Sequence, residues 1–347
     1  GKKAIVSSAK PNVVPPAATK TVTSIIKINS RPFKALANHP IPASKAELLK
    51  LADNPKNHIT KAKVALGKQL YFDPRLSKSG LISCNFCHDL SSGGDDGMSA
   101  AIGHKWTANP HHLSSPTVYN AVFNNKQFWD GRSPDVEDQA QGPMQAAPEM
   151  SSSKEHVVAV VTSIPAYVNE FKKAYGKDTK ITFEKIADTI GLFERTLVTP
   201  TKYDTFLRGN EKALTKKEKE GLKTFIEVGC TSCHTGINLG GEMNVFNVTA
   251  EYKFMHVGDF KGDKNGMVKV PTLRNVTQTA PYFHNGMMKT LKGAIIEMGR
   301  IQLGTTITDK QAASIETFLG TLTPKKYNIK MPTLPASTDK TPKPDLN

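Results

Sequence analysis

Long apolar runs are missing from this sequence: nothing in it approaches the roughly 18 consecutive apolar residues that a membrane-crossing helix needs, so a soluble protein is expected. Cysteine is scarce, with 4 in 347 residues, which excludes a disulfide-dense scaffold. Acidic side chains are outnumbered, 31 against 46 lysines and arginines, for a formal net charge of +15. The surplus is scattered as single lysines and short clusters such as Lys212 to Lys219, without the interleaved aromatic platforms of a nucleic-acid surface. That leaves no argument for nucleic acid as a partner. A dispersed basic surface suits solubility and can steer an acidic redox partner.

What is present is concentrated. All four cysteines fall in two copies of one pattern, Cys84-Asn85-Phe86-Cys87-His88 and Cys230-Thr231-Ser232-Cys233-His234. Two thiols at this spacing can add across the two vinyl groups of one porphyrin, and the adjoining histidine then lies beneath the ring to ligate iron. A redox Cys-x-x-Cys pair needs no following His. A structural zinc site would have to join clusters 234 − 88 = 146 positions apart. Two covalently attached c-type haems are therefore expected, one on His88 and one on His234. Such haems are attached outside the bacterial cytoplasm, so the expected location is the periplasm, with a leader peptide removed.

Helix signals dominate and strand signals are sparse. Ser44-x-x-Glu47 opens a short helix, and Thr60 precedes another with Val64, Leu66, Leu70 and Tyr71 on its apolar face. Pro165 and Gly176 bracket a further helix, and Ile186, Ile190, Phe193 and Leu197 mark the next. Thr215-x-x-Glu218 starts a helix carrying Leu222, Phe225 and Ile226 that stops at Gly229, and Thr308-x-x-Gln311 starts a late one with Ile315, Phe318 and Leu319.

An internal repeat orders these elements. Pro116-Thr117-x-x-Asn120, followed by Phe128-Trp129-Asp130-Gly131, returns as Pro271-Thr272-x-x-Asn275, followed by Phe283-His284-Asn285-Gly286, at a constant offset of 155. Each half also carries a Gly-Gly pair, Gly93-Gly94 and Gly240-Gly241. The expected fold is mostly α, with two cytochrome c-like domains related by internal duplication and one covalent haem in each. Their bounds are 41–200 and 201–325, between a flexible arm over 1–40 and a Pro- and Lys-rich tail over 326–347.

A haem that carries electrons keeps a closed sixth position, whereas one that meets peroxide needs an open one. On that point the stretches Ser99-Ala100-Ala101-Ile102-Gly103-His104-Lys105-Trp106, Ser115 to Phe123, Gln127-Phe128-Trp129-Asp130-Gly131-Arg132 and Gln139-Ala140-Gln141-Gly142-Pro143 closely resemble the bacterial di-haem cytochrome c peroxidases. The likeness runs from about Leu66 to Leu322.

The resemblance implies that His104 is a removable sixth ligand of the first haem. It implies that Trp129 lies between the haems as an electron conduit, that Gln139 is the distal glutamine and that Glu149 is the distal acid. Met298 matches the sixth ligand of the second haem, although Met287 and Met288 compete on chemistry alone. Family members often place an Asn before the Ser-Pro-Thr segment as part of a calcium site. Here Ser114 stands there, behind a local enlargement holding His111 and His112, while Thr279 and Pro281 match positions whose carbonyls contribute.

The implied activity is reduction of hydrogen peroxide by a small electron donor, a mono-haem cytochrome c or a cupredoxin, in a protein that resembles homodimeric relatives. A non-enzymatic di-haem electron carrier and a MauG-like protein-modifying oxidase are the rivals. The latter branch resembles a chain with Tyr in place of Met298.

Overall fold

A computed structural model describes residues 40–347 and, before them, an antiparallel strand pair, β1 (Ser24–Ile28) and β2 (Arg31–Ala35). The flexible arm expected over residues 1–40 otherwise lies outside the described residues. Eleven α-helices follow among the described residues: α1 (Lys45–Ala52), α2 (Lys61–Phe72), α3 (Cys84–Cys87), α4 (Val136–Gln145), α5 (Lys154–Thr162), α6 (Pro165–Tyr175), α7 (Phe183–Glu194), α8 (Lys202–Leu207), α9 (Lys216–Glu227), α10 (Leu291–Met298) and α11 (Asp309–Leu319). One further strand pair, β3 (Met243–Val245) with β4 (Met267–Lys269), completes the regular structure apart from short helical turns.

The helices start where the side chains supply caps. Thr215 and Thr308 form full capping boxes with Glu218 and Gln311, satisfying backbone donors at the first turns of α9 and α11. Ser44 does half as much, accepting from the Glu47 N–H. The helix α6 starts at Pro165 and gives way at Gly176, whose φ of 105° is open to glycine. Leu197 falls outside α7: the helix ends at Glu194, where the Thr196 hydroxyl donates to the Phe193 carbonyl and the chain turns.

Two separate apolar cores result. The first packs α2, α4, α5, α6 and α7 through Leu66, Leu70, Val160, Phe171 and Ile190; the second packs α9, α10 and α11 through Leu222, Phe225, Ile295, Ile315 and Phe318. Each is built on one close helix crossing. At Gly67 an added Cβ would lie 2.3 Å from the Thr189 carbonyl oxygen, so α2 touches α7 backbone to backbone. At Gly221 it would lie 2.1 Å from the Ser314 carbonyl oxygen, so α9 meets α11 in the same way.

The repeated segments share a backbone course. Asn120 and Asn275 both take the left-handed conformation, at φ 62° and 66°, and each opens a short helical turn. Phe128 and Phe283 are likewise at positive φ, inside the bridges Gln127↔Ser133 and Tyr282↔Met288. Residues 326–347 do not trail away but return over the first core. Arg75 donates to the Ser337 hydroxyl at 2.9 Å, Thr338 to the Ser163 carbonyl at 2.8 Å, and the Asp345 N–H to the Lys78 carbonyl at 2.9 Å.

Candidate functional site

The two Cys-x-x-Cys-His motifs open into two different cavities. In the first, Cys84 and Cys87 from α3 and the following His88 face Gln139 of α4 and Glu149 of the turn beyond it. The His88 ring is held through Nδ1, 2.9 Å from the Pro116 carbonyl, which leaves Nε2 as the free ligating nitrogen. The Tyr71 hydroxyl donates to the His88 carbonyl at 2.7 Å and fixes the backbone behind it. Burial pulls the His88 imidazole below its ordinary range and raises both thiols, so the ring is neutral and able to bind a metal.

Glu149 is held above the ordinary carboxylate range by burial, with Arg132 drawing it partly back. A second carboxyl, Glu194 at the end of α7, also lines this cavity; burial, aided by the charge of Glu137, pushes it up to about 8. Nothing in the sequence pattern marks Glu194, because helix periodicity assigns it to the buried face and says nothing of what that face adjoins.

The second cavity is lined by Cys230, Cys233, His234 and Met298, with Phe225, Ile295 and Leu319 among its apolar walls. His234 Nδ1 lies 2.8 Å from the Leu239 carbonyl, again freeing Nε2. Asn244 donates to Cys233 Sγ at 3.0 Å. Of the three methionines that compete as a sixth ligand, Met298 lines the cavity. Met287 and Met288 do not, and Met288 is packed in the second core. In both cavities two thiols, a neutral imidazole with one nitrogen fixed, and apolar walls form a donor set that fits a haem.

Between the cavities lies a thin seam. Ser114, Ser115 and Lys269 line both. Trp129 is 9% exposed and lines the second cavity; its indole N–H donates to the Ser114 carbonyl at 2.9 Å and its ring meets His284 edge-on. The Lys269 ammonium is buried at 4% exposure, and desolvation lowers it to about 8. Sequence reasoning passed over Lys269, one lysine among many in a basic chain.

His104 is brought to the Glu149 turn but not into the cavity lining. Its backbone N–H donates to the Glu149 carbonyl at 2.8 Å, and Gly103 packs against Pro148 so tightly that an added Cβ would sit 1.7 Å from its oxygen. The His104 ring is buried, with Nε2 3.2 Å from the Asn347 carbonyl and Nδ1 without a partner.

Ser114, Thr279 and Pro281, the residues expected at a calcium position, all line the second cavity. The Ser114 hydroxyl is already donated to the Met98 carbonyl at 2.9 Å, and its own carbonyl is taken by Trp129. The enlargement before it docks elsewhere: His111 pairs with Asp259 at 2.7 Å.

Comparison with known proteins gives the chain its relatives. Residues 61–212 match the family model described as di-haem cytochrome c peroxidase. The cytochrome c551 peroxidase of Nitrosomonas europaea is 44% identical over 318 residues, 88% of this chain and 91% of that protein. The cytochrome c551 peroxidase of Pseudomonas aeruginosa is 43% identical over 293 residues, 80% and 84% of the two chains. Among solved structures, a variant of the diheme peroxidase BthA from Burkholderia thailandensis superposes with a TM-score of 0.65 at 18% identity, over 93% of this chain and 96% of that one, a likeness of fold.

Proposed function

We propose that this chain, which belongs to the di-haem cytochrome c peroxidase family, reduces hydrogen peroxide to water with electrons from a small redox protein, in the periplasm. The observation that carries the reading is the inequality of the two cavities. One is lined by an amide, Gln139, and two carboxyls, Glu149 and Glu194, together with its histidine, and the other by a methionine, Met298. Cys84, Cys87, Cys230 and Cys233 would hold the haems through thioethers, and His88 and His234 through their imidazoles, within lobes spanning 41–200 and 201–325 that derive from one duplicated unit. When bound, the haems supply the redox chemistry, two electrons per peroxide delivered one at a time.

The protein's own groups do the rest. Cleaving the O–O bond heterolytically requires moving one proton from the inner oxygen to the departing one, so that water leaves rather than hydroxide. Glu149, ionised, accepts that proton and returns it; burial raises its proton affinity toward the range where both steps are feasible. Gln139 orients peroxide by hydrogen bonding from the same side. Met298 closes the second site against peroxide and favours its reduced state. Trp129, packed in the seam, bridges the two.

His104 is the first site's removable ligand in this reading. Its ring, bonded to Asn347, is off the cavity, and Gly93, Gly94 and Gly97 at φ 82°, 76° and 68° give the intervening loop the backbone freedom to bring it back. A calcium ion held by carbonyls of Thr279 and Pro281, with Ser114 alongside, and a homodimer complete the proposal.

Peroxide-dependent oxidation of a reduced mono-haem cytochrome c tests the function. A protein with both haems bound that fails to turn over peroxide is an electron carrier instead. Electron paramagnetic resonance of the half-reduced protein tests the ligand switch, which is wrong if the first haem stays low-spin while turnover proceeds. The MauG-like alternative is disfavoured by Met298 in the second cavity, since that branch resembles a chain with Tyr there.

A further inference from the structure

The seam obeys the repeat. The Ser114 N–H donates to the His284 carbonyl at 2.7 Å, and the Lys269 N–H donates to the Trp129 carbonyl at 2.8 Å. Since 114 + 155 = 269 and 129 + 155 = 284, each hydrogen bond is the image of the other when the two repeats are exchanged. The side chains break that symmetry. Where the first repeat has the small hydroxyl of Ser114, the second has the ammonium of Lys269.

That ammonium is in an unusual position. It is the sole lysine or arginine lining either cavity among the described residues, and it lines both. No carboxylate among the described residues lies within ion-pairing distance of it; Asp130, the acid whose charge it feels, is engaged by Arg132 at 3.1 Å. Although β4 carries it on the second lobe, its side chain lines the first cavity beside His88 as well as the second, and its charge is felt at His88. Burying an ammonium with no counter-ion is costly, and a fold that does so has a place for an anion beside it. A haem brings two propionate carboxylates, and no other lysine or arginine among the described residues lines either cavity to meet them.

We propose that Lys269 binds a propionate of the haem on His88, contributed across the seam by the other lobe, and that its charge raises the potential of that haem. The inference rests on the two-haem reading above. A positive charge beside the porphyrin disfavours the ferric state, which carries one more positive charge than the ferrous one. Electron flow from the second haem to the first is then set by a residue that belongs to the second lobe, and the two lobes are coupled at one side chain. Lys269 is a positioning residue: it touches neither peroxide nor the departing water.

The test is a spectroscopic redox titration of the haem-loaded protein, with haem stoichiometry measured on the same samples, for the parent, Lys269→Met and Lys269→Arg. The expected result is two haems in each, and a lower midpoint potential for the His88 haem in Lys269→Met, equivalent to roughly tenfold less favourable electron transfer from the second haem. Lys269→Arg restores the parental value. Unchanged potentials, or a shift confined to the His234 haem, overturn the inference while leaving peroxidase function standing. A parent that binds no haem overturns both. If Lys269→Met loses haem, the comparison passes to Lys269→Gln against Lys269→Arg: a lowered potential in Gln alone supports the role, and equal potentials refute it.

Discussion

The first cavity gathers Gln139, Glu149 and Glu194 with His88, whereas no Asp or Glu among the described residues lines the second, which Met298 shares with His234 amid mostly aliphatic and aromatic walls. Both are reached by the same route: a glycine-crossed helix pair, a Cys-x-x-Cys-His turn, and an imidazole pinned through Nδ1 to a backbone carbonyl. A shared frame would set an iron ligand on one face of each haem and leave the other face free to diverge. What collects on that second face, proton-carrying groups or a thioether, decides whether a site does chemistry or supplies electrons.

The comparison breaks most sharply at Glu149. Glu149→Gln is expected to lower peroxide turnover by ~10²- to 10⁴-fold while both haems stay bound, a loss that haem stoichiometry and steady-state kinetics separate. Because burial raises Glu149 and it must be ionised to accept a proton, activity should fall as pH drops through a value above the ordinary carboxylate range. Arg132→Met, which removes the charge drawing it down, should move that acid limb to higher pH.

At the other site, Met298→Leu should keep the haem count and lower the potential of the second haem by on the order of 100 mV, read by redox titration. An unaltered potential would remove Met298 as ligand and the inequality with it.

The frame itself should respond equally in both lobes. Gly67→Ala and Gly221→Ala each force a methyl group against a backbone carbonyl, and chemical denaturation of either should show a loss of about 1–3 kcal/mol.

The last expected effect concerns Glu194. Its ordinary value is 4.5 and burial holds it near 8, so the folded state retains its proton where the unfolded chain gives it up. Its contribution is fully present below about 4.5 and is lost as pH rises toward 8. Thermal unfolding should weaken over that window, and Glu194→Gln should flatten the dependence, while no substitution around the second cavity does so.

Much of this was legible in the chain. The capping boxes at Thr215 and Thr308, the stop at Gly176 and the Cys-x-x-Cys-His turns are local, set by residues within four positions of one another, and they stand where expected. The end of α7 was overrun by one turn because Leu197 continues the apolar period while the chain has already turned at Thr196. Met298 could not be told from Met287 and Met288 by chemistry. Which sulfur reaches the cavity depends on where α10 ends relative to His234, which the packing of α10 against α11 determines.

By itself the sequence determined two Cys-x-x-Cys-His turns, a mostly helical chain and a repeated motif at an offset of 155 residues, because motif spacing, helix capping and repetition are written in neighbouring or regularly spaced residues. The tertiary structure alone decided what lies between the repeats. Lys269, Ser114, Trp129 and His284 meet only because two lobes dock with their repeated segments exchanged, and the ring of His104 rests against Asn347 only because the last twenty or so residues return over the first core. Contacts of that kind join positions more than a hundred residues apart, and no local propensity or spacing encodes them.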